Sequence, residues 1–452
     1  MRKNGIESDF RQPPSMILDE ERLTRFLGSI EANSLVVMCG AGLSIPPPSS
    51  LMTAERVANA CYDKYRPIQE LPAAMRTQID QLAGHFYAAQ QFESVFLRSL
   101  VPWDELTGEP NKGHAAISDL LISRGLAAAL SANFDMLIEQ WAWSRKVDLQ
   151  GALDGVEAMA LAAEMSPLLK FHGCMTKGRK KTLWTTGQLA EEEIARTIQR
   201  CADWMRLFLP GKDLLIIGFW TDWGYLNHVL AEAINTIAFG SVTIADPNSS
   251  ANLQRKAPEL WATLSPGPHF KHFDQSGADA LEELRVEYSK VWLKRFLALA
   301  EPLLTDEGKA CPERDLALDC EDLYNARRDG EGVPYNRAAR TKAPAATASQ
   351  AAFAHHLLLD AGATRDGAWY LKDDRRIRVV NGGGQAMNSV RGHYKEPPAA
   401  AQPDIVVCAG AMDMSVPGSL IGAGDDNSIV RPSGGGTARW MILEQARGEL
   451  AI

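Results

Sequence analysis

The chain has 452 residues, 46% hydrophobic and 23% charged, an ordinary globular composition with room for roughly two or three domains. Lys and Arg total 47 against 56 Asp and Glu, a net charge of −9 that argues against a surface tracking a nucleic-acid backbone throughout. No run approaches the ~18 apolar residues of a membrane span. Residues 1–20 mix charges with prolines and hold no apolar core, so no secretory signal is expected. The seven cysteines (Cys39, Cys61, Cys174, Cys201, Cys311, Cys320 and Cys408) are scattered and form no CxxC pair. That spacing speaks against a disulfide scaffold or a structural zinc site and for reduced thiols in a cytoplasmic protein.

In chain order, residues 34–39 form a short apolar, β-branched run that Gly40-Ala41-Gly42 stops, which predicts a buried strand and a tight turn. Residues 51–110 carry helical spacing and no clear strand, as a helical insertion would. Strand signals recur at 125–131, 168–172, 213–219 and 241–245, alternating with helical patterns at 111–123, 191–209 and 225–238. Such alternation predicts an α/β fold with a Rossmann-like parallel sheet covered on both faces. Residues 277–299 read as a closing helix. Beyond it, 338–354 (rich in Ala, Thr and Pro) and 397–403 read as linkers or loops. From about 366 the pattern changes to short strands and glycine turns. Strands at 369–371 and 376–380 flank 372–375 as a hairpin, and glycine triplets at 382–384 and 434–436 interrupt the rest. The expected division is 18–298, a connector at 299–365, and a small mixed or β-rich domain at 366–452.

Several clusters fall at expected strand ends. Gly40-Ala41-Gly42-Leu43-Ser44 suits either close approach of backbone to a pyrophosphate or a turn that needs glycine for steric reasons. Pro46-Pro47-Pro48 occupies the place of the later glycine of a dinucleotide fingerprint, so an ordinary Rossmann dehydrogenase fits poorly. In Ser131-Ala132-Asn133-Phe134-Asp135, polar groups emerge toward the ligand crevice, or else cap the helix that follows. His172-Gly173 is a turn or a catalytic histidine. Gly218, Asp222, Asp246 and Asn248 lie after the later strands.

Taken in order, these clusters resemble the sirtuin family, most closely its bacterial NAD-hydrolysing branch of antiphage defence, over roughly residues 18–298. Gly113-His114-Ala115-Ala116-Ile117 and Ser276-Gly277-Ala278 add to the likeness. The resemblance implies that Gly40, Ala41, Gly42 and Ser44 cradle the NAD+ diphosphate and adjacent ribose. It implies that Asn133 holds the nicotinamide ribose or a water beside its anomeric carbon, and that Asp135 contacts the carboxamide. His172 would be the base at the ribose hydroxyls. Gly218 would pass close to the phosphates, Asp222 would join the binding set, and Asp246 and Asn248 would line the adenosine end.

Departures from the pattern matter equally. Deacylating sirtuins carry a set of zinc cysteines after the His-Gly strand, where this chain has only Cys174, then Met175-Thr176 and the basic run 177–181. Pro47-Pro48-Ser49 replaces their Asp-Phe-Arg run, and Ala132 stands where they have Gln. Without the zinc module an acyl-lysine peptide groove is not expected, and water becomes the acceptor. No metal is expected. The implied activity is NAD+ hydrolysis to ADP-ribose and nicotinamide, by an NAD-depleting effector of abortive infection. A constitutive NADase would kill its host, so control is expected from outside the catalytic part. That control would come through residues 300–452, homo-oligomer assembly, or a co-encoded activator such as an ATPase, a short Argonaute or a nucleotide-processing enzyme. The rivals are a protein deacylase and a non-catalytic module that binds NAD or ADP-ribose.

Three further features keep two readings. The basic run 177–181 is a solvated loop or a contact for a phosphate-bearing ligand, nucleic acid or acidic partner. Trp220 and Trp223 pack against the insertion or stack on a base. His355-His356 suggests a metal site or none, since a third ligand nearby is lacking.

Overall fold

The computed structural model describes residues 17–145, 147–162, 165–220, 224–314, 323–332, 345–393, 402–412 and 438–452. Seven strands make the larger sheet: β1 Leu35–Cys39, β2 Leu126–Ser131, β3 Gly151–Ala152, β4 Leu168–Leu169, β5 Asp213–Ile217, β6 Ser241–Ala245 and β7 Lys271–Phe273. Their order is β3-β4-β2-β1-β5-β6-β7, with every pairing parallel. The chain leaves β1 for β2 on one side and later returns to β5 on the other. The crevice outside the carboxyl ends of β1 and β5 is therefore a topological switch point.

β1 shows why the sheet is buried on both faces. Leu35, Val37 and Cys39 enter one apolar cluster, and Val36 and Met38 enter another. The first cluster is closed by helices Glu20–Glu31, Lys112–Ile122 and Gly277–Ala298. The second is closed by Glu192–Phe208, Gly224–Ile234, Ser250–Lys256 and Pro258–Leu264. A parallel sheet needs both covers, and a near-continuous apolar strand results. Between β1 and β2 the insertion folds as helices Ala54–Tyr65 and Ile79–Ala88 and a π-helical segment Phe92–Leu100, around its own aromatic core.

Two expectations need correction. The run at 168–172 pairs with the sheet only over Leu168–Leu169. Lys170 turns inward, its ammonium donating to the Asp135 carbonyl and to Glu139 Oε1 at 3.0 Å, and the backbone folds back through Gly173 at φ +107. His172 thus sits in a turn beyond the strand. The soft stretch at 338–354 is helical from Ala345 to Asp360, since its alanines bury against the C-terminal sheet along with Leu357 and Leu358; residues 338–344 lie outside the described residues. So do 397–401 and the glycine triplet at 434–436.

The C-terminal sheet contains β8 Thr364–Asp366, β9 Trp369–Lys372, β10 Arg375–Asn381, β11 Ile405–Ala409 and β12 Arg439–Ile442, in the order β12-β11-β10-β9-β8. β8 to β10 are antiparallel neighbours and β10 to β12 parallel ones, a mixed sheet. The expected hairpin is present: Asp373 and Asp374 both have positive φ (51° and 58°), as a two-residue primed turn requires. Among the described residues no helix is long and apolar enough to cross a membrane.

Helix Leu323–Glu331 joins the two sheets. Arg327 Nη1 donates to the Ser123 carbonyl at 2.8 Å, and Asp329 receives Arg378 of β10 at 2.6 and 2.7 Å. Asn381 Nδ2 donates to the Gly330 carbonyl at 3.2 Å. Arg378 and Asp329 are both buried, and Arg328 also approaches Asp329 at 3.4 Å, so neutralising the carboxylate weakens a buried ion pair that holds the joint. Asp329→Asn should cost about 3–5 kcal/mol by chemical denaturation, and a stability equal to wild type would remove this pair from the joint.

Candidate active site

A cavity of about 660 Å³ lies over the carboxyl ends of the central strands, within the range of small-molecule sites. Its wall contains Gly40, Ala41, Gly42 and Ser44 after β1, Asn133 and Asp135 after β2, His172, Gly218 after β5, and Asp246 and Asn248 after β6. Every residue that the resemblance gave a part in NAD+ binding or catalysis therefore converges on one cavity, save Asp222, which lies outside the described residues together with Trp223.

The glycines answer a steric demand. A Cβ on Gly42 would sit 2.7 Å from Gly218 Cα, and one on Gly40 would sit 2.6 Å from Phe219 Cα. Gly218 itself has φ +53. The loops after β1 and β5 thus interlock backbone to backbone, and Gly42 N–H donates to the Gly218 carbonyl at 2.8 Å. Gly40, Leu43 and Ser44 N–H groups also have protein acceptors, namely the carbonyls of Ile217, Gly40 and Ala41. The loop shapes the cavity wall, while these four N–H groups are already engaged within the protein.

Ser44 is the centre of a polar node. Asn111 caps helix Lys112–Ile122, its carbonyl oxygen accepting from Gly113 and His114 N–H, and its own N–H donates to His114 Nδ1 at 3.2 Å. Burial pushes the His114 pKa down to about 4, so the ring is neutral. With Nδ1 accepting, Nε2 carries the proton and donates to Ser44 Oγ at 3.1 Å. Asn133 Nδ2 donates to the same oxygen and to the Gly40 carbonyl, both at 3.1 Å. Ser44 in turn donates its proton to Asp135 Oδ2 at 2.8 Å, and Asp135 Oδ1 accepts from Leu137 N–H at 3.1 Å. The cap position of helix Leu137–Ser144 is Met136, with no side-chain cap bond; Asp135 instead closes a turn just ahead of the helix while it lines the crevice. Both amide protons of Asn133 point into the protein, which leaves Oδ1 as its group for a ligand.

His172 is buried, and desolvation pushes its pKa down to about 4. Its Nδ1 faces the Ala132 carbonyl at 3.0 Å and must donate, which makes Nε2 the basic nitrogen. Phe134 stacks on the ring at 5.5 Å between centroids. Beneath the site, Lys170 and Glu139 are each 1% exposed. Burial works against the ammonium, but Glu139 and Asp135 outweigh it and hold Lys170 charged. At the far end, Asp246 Oδ1 accepts from Asn248 N–H and Nδ2 at 2.9 and 2.8 Å, and its N–H donates to the Phe273 carbonyl.

Several contributors were not identified from sequence. His114 was quoted without a role, although Asn111 three residues earlier is a capping spacing. Lys170–Glu139 has no local signal. Leu51, Met52, Leu106 and Trp184 wall the cavity through tertiary packing alone. The basic run is tied down: Lys177 pairs with Glu157 at 2.6 Å, Lys181 with Glu193 at 2.6 Å and Lys180 with Glu93, and Arg179 lies 4.7 Å over Trp103. Trp220 packs edge-on against Trp261, donates to the Leu253 carbonyl on the helices after β6, and lines the same cavity. His355 contacts the Tyr370 hydroxyl and His356 the Leu297 carbonyl. Among the described residues no group of three or more His, Cys, Asp or Glu could hold a metal ion.

No protein-family model and no curated protein matches the chain. Among solved structures, one described as bearing on the mechanism and regulation of Sir2 enzymes aligns over 61% of this chain and 99% of its own, at 18% identity and a TM-score of 0.33. A mutant Sir2 homologue in complex with ADP-ribose aligns over 61% and 98%, at 15% identity and a TM-score of 0.32. At these values the likeness assigns no role to any residue.

Both site histidines are held neutral, and the sign of the consequence follows. Unfolded histidine takes a proton near its ordinary 6.5, while these two resist until about 4. Stability from this source is full above about pH 6.5 and falls as pH drops toward 4. Thermal melts should show that slope, and His114→Asn should flatten part of it; an unchanged slope would remove His114 from the account.

Proposed function

We propose that the chain cleaves NAD+ to ADP-ribose and nicotinamide. The single observation that carries this reading is the convergence of Asn133, His172 and the Ser44–Asp135 node on one cavity at the switch point of a parallel sheet. Together with the ordered motifs of the sequence, it favours an enzyme over a binding module, since binding alone needs neither a buried neutral histidine nor an oriented amide.

The residues fit that substrate. Cleavage of the N-glycosidic bond builds positive charge at the anomeric carbon, and nicotinamide leaves without a general acid. Asn133 Oδ1 turns a carbonyl dipole toward the cavity, where it can orient a ribose hydroxyl or an attacking water without adding a charge. His172 Nε2 takes the proton of that hydroxyl or water, its ring held by the Ala132 carbonyl and Phe134. Asp135, fixed by Ser44, faces the carboxamide, and Asp246 with Asn248 takes the adenosine end. Water is the acceptor in place of an acyl-lysine peptide, because Cys174 has no cysteine partners for a zinc module.

In this reading the protein is a cytoplasmic, NAD-depleting antiphage effector. Its C-terminal part mediates assembly into homo-oligomers or engagement of a co-encoded activator. The purified full chain, alone and with the products of neighbouring genes, should release nicotinamide from NAD+ with no acylated peptide present. Bound but intact NAD+ under every condition would sink the proposal, and release only with acyl-lysine peptide would favour the deacylase. His172→Ala should lower turnover by roughly 10²-fold or more while the variant still melts cooperatively at neutral pH. Because His172 is neutral down to about 4, wild-type turnover should hold level through neutral pH and fall only as pH approaches that value; an acid limb near 6.5 would contradict the assignment.

A further inference from the structure

The wall behind His172 suggests what limits the acceptor. Phe134 stacks on His172, and Trp184 stacks on Phe134 at 5.0 Å between centroids. Phe96 and Trp103 then meet Trp184 edge-on at 5.5 and 6.0 Å. Trp184 is 1% exposed, Phe96 0% and Trp103 6%, so this ladder runs into the insertion's buried core. Polar anchors fix it in place: Trp184 Nε1 donates to Thr182 Oγ1 at 2.6 Å and Trp103 Nε1 to the Leu97 carbonyl at 2.7 Å. Leu106 joins Trp184 in the cavity wall from a different element.

We propose that Trp184, the ring beyond Phe134 in this stack and a neighbour of Leu106 in the cavity wall, sets the size of the nucleophile that the site accepts, restricting it to water and the smallest alcohols. The inference rests on the NAD+-cleaving reading above. An acceptor has to share the cavity with NAD+ and fit beside His172 against the aromatic wall, and a side chain reaching in from behind meets close-packed core. In the step concerned, the bond from the anomeric carbon to the nicotinamide nitrogen breaks, its electron pair leaving with nicotinamide. A bond forms from that carbon to the acceptor oxygen, and the acceptor proton passes to His172 Nε2. With an alcohol in place of water the product is the alkyl ADP-riboside. Trp184 is thus a specificity residue and takes no proton.

The test uses the full chain under conditions where wild type releases nicotinamide, with NAD+ and equal concentrations of methanol and 1-butanol, and mass spectrometry of the products. Wild type should give ADP-ribose, some methyl riboside and very little butyl riboside. Trp184→Ala should raise the butyl-to-methyl ratio roughly tenfold or more, as removal of several methylene equivalents from an apolar wall implies. Trp184→Phe should raise it less. Leu106→Ala opens the same wall from another element and supplies the reading if Trp184→Ala does not fold. The ratio compares two acceptors in one tube, so a general loss of rate leaves it unmoved. A ratio within about twofold of wild type in a folded variant that still releases nicotinamide would overturn the size limit alone. Absence of nicotinamide release by wild type would overturn the functional reading, and this inference with it.

Discussion

The hydroxyl of Ser44 holds together three parts of the chain that are far apart in sequence. It accepts from His114 at the start of a helix and from Asn133 after β2, and it donates to Asp135. In a buried setting such a node is worth having only when every member is satisfied, and here the proton directions are consistent around the ring. Asn111 N–H decides the His114 tautomer, which decides the Ser44 rotor, which in turn gives Asp135 its donor. One cap residue outside the cavity therefore orients the groups inside it.

The interlock of Gly40 and Gly42 against Gly218 and Phe219 is the other constraint at the same place. It brings the loops after β1 and β5 into backbone contact, so the cavity floor is rigid where the sheet reverses its order. The Lys170–Glu139 pair acts one layer below, drawing the chain after β4 inward and setting His172 in a turn. Helix Leu323–Glu331 touches the Ser123 end of the helix that carries His114 at its other end, and it grips β10 of the C-terminal sheet. The two sheets thus share a contiguous polar connection that ends at the site's own helix.

The frame was legible in the sequence because its signals are local. Strand β1 is a compact apolar run stopped by glycine, and Ser241–Ala245 and the hairpin at 372–375 announce themselves in the same way. Gly40, Asn133, His172 and Asp246 could be named because parallel strands deliver their carboxyl ends to one edge. What the sequence hid depends on tertiary contact. The glycines invited a phosphate-binding account, yet four of the loop's N–H groups already have protein acceptors. The run at 177–181 read either as a solvated loop or as a contact for a phosphate, and nothing local showed that acids from three distant elements reach it. The stretch 338–354 looked like a linker because helix propensity alone shows no apolar stripe; the sheet that Ala351, Ala352 and Ala354 bury against supplies the reason for its helical part.

The central claim is that a neutral, buried His172 and an amide oxygen of Asn133 serve bond cleavage at the far end of a bound NAD+. Time-resolved proton NMR of NAD+ with the full chain, alone and with its co-encoded neighbours, reads this most directly, since free nicotinamide and intact NAD+ give separate signals. The account predicts nicotinamide growing through many turnovers per chain, without acylated peptide, and its loss on His172→Ala. NAD+ that remains intact while its resonances broaden on binding, under every condition tried, would contradict it.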